Sequence, residues 1–110
     1  MTFEFALKIV GFTDSLREAK RFSLADQLFR SGCSIGANVR EAQGAESKPD
    51  FVHKMKIALK EAEETEYWLE LCRYSKLLND SSQLLPSIES IIKVLNKIVT
   101  TTKNKMRTIG

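Results

Sequence analysis

The chain has 110 residues, 43% of them hydrophobic and 28% charged, with five glycines and two prolines. Such a chain has the size of one domain and the apolar content to bury a core, which excludes a disordered polymer. The net charge is only +3, and no apolar run approaches the roughly 20 residues that cross a bilayer.

At the N-terminus, Glu4 stands ahead of the apolar part of MTFEFALKIVGF and no cationic lead-in precedes it, unlike a secretory signal. A cytoplasmic location is expected. Cys33 and Cys72 fit that compartment: both fall within predicted helices, and neither has CxxC or metal-ligand spacing.

The spacing predicts a first helix over about residues 3–19. Its apolar residues Phe5, Leu7, Ile9, Val10, Phe12 and Leu16 are too dense to define one stripe. Gly11, in the middle, costs about 1 kcal/mol relative to Ala. Ser23 then reads as an N-cap, with Asp26 three residues on as an approximate capping box.

The second helix is expected over about 24–43. Leu24, Leu28, Gly32, Ile35, Val39 and Ala42 recur at spacings of 4, 4, 3, 4 and 3. Between them lie Ser31, Cys33, Ser34, Gly36 and Ala37, all small enough to admit a neighbouring backbone at the expense of helix propensity. Gly44 is a natural stop.

Ser47-Lys48-Pro49-Asp50 is the strongest local signal. Ser47 reads as N-cap, Pro49 falls in the first turn where its missing N–H costs nothing, and Asp50 closes the box. The third helix should run over about 48–75, with Phe51, Met55, Ala58, Ala62, Thr65, Leu69 and Cys72 on one stripe. A second row, Tyr67, Leu71, Tyr74 and Leu78, lies beside it.

Asn79 to Gln83 form the next break, with Asp80 or Ser81 as N-cap of a fourth helix over about 81–105. Leu84, Ile88, Ile91, Leu95 and Ile98 make its stripe, Leu85, Ile92 and Val99 flank it, and Pro86 falls in its first turns. The final ten residues, TTKNKMRTIG, are expected to fray. Four long helices with short links and a 3.5-residue apolar repeat predict an all-α fold. Its architecture is an antiparallel up-down-up-down four-helix bundle filling residues 1–110 as a single domain.

Catalytic constellations are hard to find in this pattern. A di-metal carboxylate site in a bundle needs Glu-x-x-His pairs, but His53 is the one histidine and Asp50, not Glu, precedes it by three. Cys33 or Cys72 with His53 is the sole Cys/His pairing, and nothing nearby activates a thiol. Gly32 and Gly36 sit mid-helix, where GxxxG is a packing spacing and not a phosphate loop. No enzyme activity, cofactor, metal, small-molecule substrate or membrane partner is expected.

Charge is distributed unevenly. Residues 61–70 hold five glutamates and no basic residue, and Glu63, Glu66 and Glu70 share a face. Residues 90–110 hold Lys93, Lys97, Lys103, Lys105 and Arg107 and no acidic residue. These cations suit contact with a nucleic acid and equally suit the negative end of the helix macrodipole. Tyr67, Trp68 and Tyr74 among the glutamates suit either a protein interface or the core.

Asn38 and Glu41 lie three residues apart on one helical face. The expectation is that they turn inward and fasten the junction between helices two and three by hydrogen bonds to Ser47 or the exposed N–H groups there.

Ser34, Ile35, Asn38, Val39, Glu41, Gly44, Ser47, Asp50 and Phe51 together resemble the junction signature of the bacterial four helix bundle protein family. Those proteins are encoded in intervening sequences of large-subunit ribosomal RNA genes and are sometimes labelled ribosomal-protein-like. Ala58, Leu59, Glu64, Leu69, Glu70 and Leu71 match a second family segment, while Arg40, Ala42, Ala45 and Glu46 depart from the usual pattern. The resemblance implies a four-helix bundle that forms homo-oligomers, commonly ring-like pentamers. It also implies kinship with the accessory variability protein of diversity-generating retroelements, a basic barrel that binds nucleic acid. The expected role is therefore a nucleic-acid-associated accessory or scaffold protein, or else a protein-interaction module without nucleic acid.

Overall fold

The computed structural model describes residues 1–75 and 79–109, the last two of these by backbone alone. The protein is an all-α four-helix bundle: α1 (Thr2–Glu18), α2 (Phe22–Gln43), α3 (Lys48–Tyr74) and α4 (Leu85–Ile109). Leu78, expected on the second row of the third helix, lies outside the described residues.

Neighbours in sequence pack antiparallel, as the residue pairs show. On the α1–α2 seam Gly32 faces Ile9 and Gly36 faces Thr2. Between α3 and α4, Lys56 meets Lys103 and Glu66 meets Glu89. The core comprises the anticipated stripes: Leu28, Ile35 and Ala42 of α2, Met55, Ala58, Ala62 and Leu69 of α3, and Ile88, Ile91 and Leu95 of α4 are all buried. The dense first helix resolves into Phe5, Ile9, Thr13 and Leu16 on the core side. Its other apolar residues, Phe3, Leu7 and Val10, stay exposed.

The bundle is not closed evenly. The α2–α3 seam is the most extensive, α1 packs on α2, and α1 touches α4 only slightly. Helix α1 has 17 residues against 27 in α3. It begins opposite Gly36, so about two turns of α2 run past its start. That overhang leaves a groove of about 550 Å³ lined by Thr2, Phe3, Cys33, Gly36, Val39 and Arg40.

Several ends differ from expectation. Helix α2 starts at Phe22 without a side-chain cap, so Ser23 is already helical. Asp26 is instead the ion-pair partner of Arg17, at 2.7 Å. The preceding turn is closed by the backbone: Lys20 adopts φ 64°, and the N–H groups of Lys20 and Arg21 reach the carbonyls of Arg17 and Leu16. This is the Schellman arrangement on a lysine instead of the usual glycine.

Helix α4 starts at Leu85, later than residue 81, because the capping chemistry serves a turn. The Asp80 carboxylate accepts from the Ser82 N–H at 2.9 Å, and Leu84 N–H bonds Ser81 carbonyl. Ser81 itself is buried, its hydroxyl donating to the Leu69 carbonyl. Asn79 donates to Ser15 Oγ at 2.7 Å and ties this link to the end of α1. Among the described residues the tail stays helical: α4 continues to Ile109, with Met106 packed against the core.

Candidate nucleic-acid interface and the helix junction

The junction motif is built from local bonds. Ser47, in extended backbone, accepts the Asp50 N–H at 3.2 Å, with Pro49 in the first turn of α3. Gly44 ends α2 at φ −94°, so its conformation is open to any residue. Ser34 donates to the Arg30 carbonyl at 2.6 Å.

Asn38 and Glu41 do not bind across the junction. Asn38 is half-buried and donates to the Ser34 carbonyl of its own helix at 2.8 Å, while Glu41 is exposed at the rim of the groove below α1. The physical reason is local. Asn38 is taken up by its own helix, and Ser47 already accepts the Asp50 N–H that a junction acceptor would otherwise cap.

The five glutamates of 61–70 divide by direction. Glu61 and Glu64 turn to α2, where both pair with Arg30, Glu61 at 3.1 Å. Glu66 lies on the α4 side of α3, near enough to Glu89, Glu63 and Glu70 to feel their charges. Burial and then the charges of Glu70, Glu89 and Glu63 hold the Glu66 carboxyl above the usual carboxylate range.

At the other end of the same seam the cations gather. Lys103 lies beside Lys56, and that close approach, the Lys56 charge and the nearby Arg107 pull its amine below the usual lysine range. Of the five cations expected to contact nucleic acid, the fold thus brings Lys103 and Arg107 together. At 100° per residue, Lys97 and Lys105 point more than 100° away from Lys103, and Lys93 about 80°. Lys56 joins the cluster from α3, and no pattern local to 90–110 signals it.

The aromatic residues near the glutamates are mostly outward. Tyr67 is 61% and Tyr74 76% exposed, while Trp68 is half-buried and donates to Glu64 at 3.3 Å. Tyr67 and Trp68 meet edge-on at 5.1 Å, and Arg73 lies 5.4 Å over the Tyr74 ring.

Thiol chemistry has no support in this geometry. Burial pushes Cys33 up and Cys72 up to about 11, so both are neutral thiols near pH 7. His53 is exposed near the start of α3, about 28 Å along that helix from Cys72. Among the described residues, no three His, Cys, Asp or Glu side chains converge to hold a metal, and no helix is long and apolar enough to cross a membrane.

The 23S rRNA-intervening sequence protein family matches residues 1–97. The chain belongs to that family. A crystal structure of a protein of unknown function from the S23 ribosomal protein family of Bacteroides thetaiotaomicron is 44% identical, with a TM-score of 0.84. The match covers 89% of this chain and 94% of that one. No curated protein matches the chain significantly. The intervening-sequence family description carries no enzymatic assignment, and the Bacteroides relative shares the four-helix architecture without adding one.

Proposed function

We propose that this intervening-sequence protein is a non-enzymatic, cytoplasmic, homo-oligomeric scaffold that associates with nucleic acid. The observation that carries the reading is the cluster of Lys56, Lys103 and Arg107 across α3 and α4. Among the described residues, no carboxylate is ion-paired to any of the three. Like charges held together without a counter-ion are relieved when phosphates arrive and condensed cations leave. The free cysteines support a reducing compartment.

The oligomeric part rests on the outer face of α1. Phe3, Leu7 and Val10 form a stripe at spacings of 4 and 3, and Phe3 is 67% and Leu7 58% exposed. An apolar stripe beside a groove is the kind of surface another chain covers. The ring-like pentamer implied by the resemblance has a mass five times the 12.5 kDa chain, which light scattering reads directly. A monomer at high protein concentration overturns the oligomeric part.

Fluorescence anisotropy with a labelled RNA tests the nucleic-acid part. Binding should fall linearly in log K against log salt, and replacing Lys56, Lys103 and Arg107 by Ala should flatten the slope by about 0.7–0.9 per cation. No binding at low salt removes this reading in favour of a protein-interaction module. Tyr67, Leu71 and Tyr74, all exposed on α3, support that alternative.

A further inference from the structure

The α3–α4 face carries both signs of charge, sorted by height. Glu63, Glu66 and Glu70 with Glu89 occupy one end; Lys56, Lys103 and Arg107 occupy the other. On α3, Lys56, Glu63 and Glu70 recur every seven residues, and on α4, Glu89 and Lys103 are fourteen apart. At 3.6 residues per turn each set stays within about 40° of one side of its helix. The two clusters therefore share a face, their centres about 15–20 Å apart along the bundle.

Among the described residues, neither cluster is ion-paired. The carboxylates of Glu63, Glu66, Glu70 and Glu89 form no ion pair among the described residues, and Arg30, the cation that answers this acidic segment, is taken by Glu61 and Glu64 on the other side of α3. Tyr67, exposed beside the glutamates, adds an aromatic contact at the acidic end. A surface whose two ends repel within themselves and attract each other is complementary to its own copy turned end for end.

We infer that the α3–α4 face pairs with the same face of a second copy about a two-fold axis normal to the bundle. The acidic end of each copy then lies on the basic end of the other. Such an isologous contact uses each complementary pair twice and places Tyr67 of one copy near the lysines of its partner, where cation–π attraction adds to the ionic one. It differs from the apolar α1 stripe in position and in physics, and it stands whether or not the basic end also binds nucleic acid.

Light scattering on the full chain without nucleic acid tests it, with two variants. One makes the face wholly acidic (Lys56→Glu, Lys103→Glu and Arg107→Glu), the other wholly basic (Glu63→Lys, Glu66→Lys, Glu70→Lys and Glu89→Lys). Helical content by circular dichroism shows that both are folded. The wild type should double its particle mass between about 500 mM and about 50 mM salt, as screening is relieved. Each variant alone should show no doubling, and an equimolar mixture of the two should restore it. Doubling that persists in either variant alone, or a mixture that stays unpaired, overturns the inference. A wild type of constant mass at both salts also overturns it and leaves the basic end to a polyanion.

Discussion

A methyl group on Gly32 would lie 2.9 Å from both Cγ1 and Cγ2 of Ile9. Those atoms are bound directly to the Ile9 Cβ of a fully buried side chain, so they cannot swing aside. Gly32→Ala therefore forces α1 away from α2 and should destabilise the fold by about 1–3 kcal/mol, although Ala is the better helix former. Gly11 is the control, since nothing lies within 4 Å of its added methyl. Gly11→Ala should stabilise by about 1 kcal/mol. Urea midpoints of the two variants should move in opposite directions.

Lys20 is the other place where a side chain and the backbone disagree. Its φ of 64° costs a non-glycine residue about 1–2 kcal/mol, yet the turn from Leu16 to Arg21 requires that conformation. Lys20→Gly should stabilise by about 0.5–1 kcal/mol once the added chain entropy of glycine is subtracted. Lys20→Ala should give no gain, and thermal melting of the pair separates relieved strain from lost charge.

Ser31 and Thr65 place two hydroxyls 3.0 Å apart inside the α2–α3 seam, both fully buried. Each also reaches a carbonyl of its own helix, Leu28 at 3.4 Å and Glu61 at 2.8 Å. Thr65→Val keeps the shape and removes the shared bond, at a cost of about 1 kcal/mol. Ser31→Ala combined with Thr65→Val should cost less than the sum of the single changes by about 0.5–1 kcal/mol. Strict additivity in denaturant titrations would show that the hydroxyls do not interact.

Cys72 makes stability fall in alkali. Its thiol ionises near 11 in the folded chain and near 9.0 when free, so the unfolded state releases its proton first as pH rises. The contribution is whole below pH 9 and is lost progressively between about 9 and 11, amounting to about 2–3 kcal/mol. Cys72→Ala or Cys72→Val should remove this alkaline decline while shifting stability at neutral pH by a constant. Alkylation of native Cys72 should stay slow at pH 8.

The features legible in the sequence were those decided within one or two turns. The Ser47–Asp50 cap and the stripes of α2, α3 and α4 depend on local spacing, and they stand where spacing puts them. The first helix is ambiguous because Leu7 and Val10 are as apolar as Ile9, and the fit of Ile9 against Gly32 comes from a helix that local spacing does not see. Asn38 and Glu41 differ from expectation for a related reason: periodicity says that they share a face but not how far that face turns from the core. Asp80 and Ser81 have cap chemistry that a turn uses equally well. Lys56 was invisible as a partner of Lys103, since the meeting of residues 47 apart is set by the register of α3 on α4 and not by either segment alone.

The slight contact of α1 with α4 bears on how the native state opens. Helix α1 is secured almost wholly by α2, with the Asn79–Ser15 bond as an outlying tether. Amide protons of α1 should therefore exchange as one cooperative group, at a lower free energy than those of the α2–α3 hairpin. Removing the tether by Asn79→Ala should lower the α1 group alone. The chain then behaves as a three-helix platform with a detachable first helix, whose departure bares Ile9 and the Gly32 notch together.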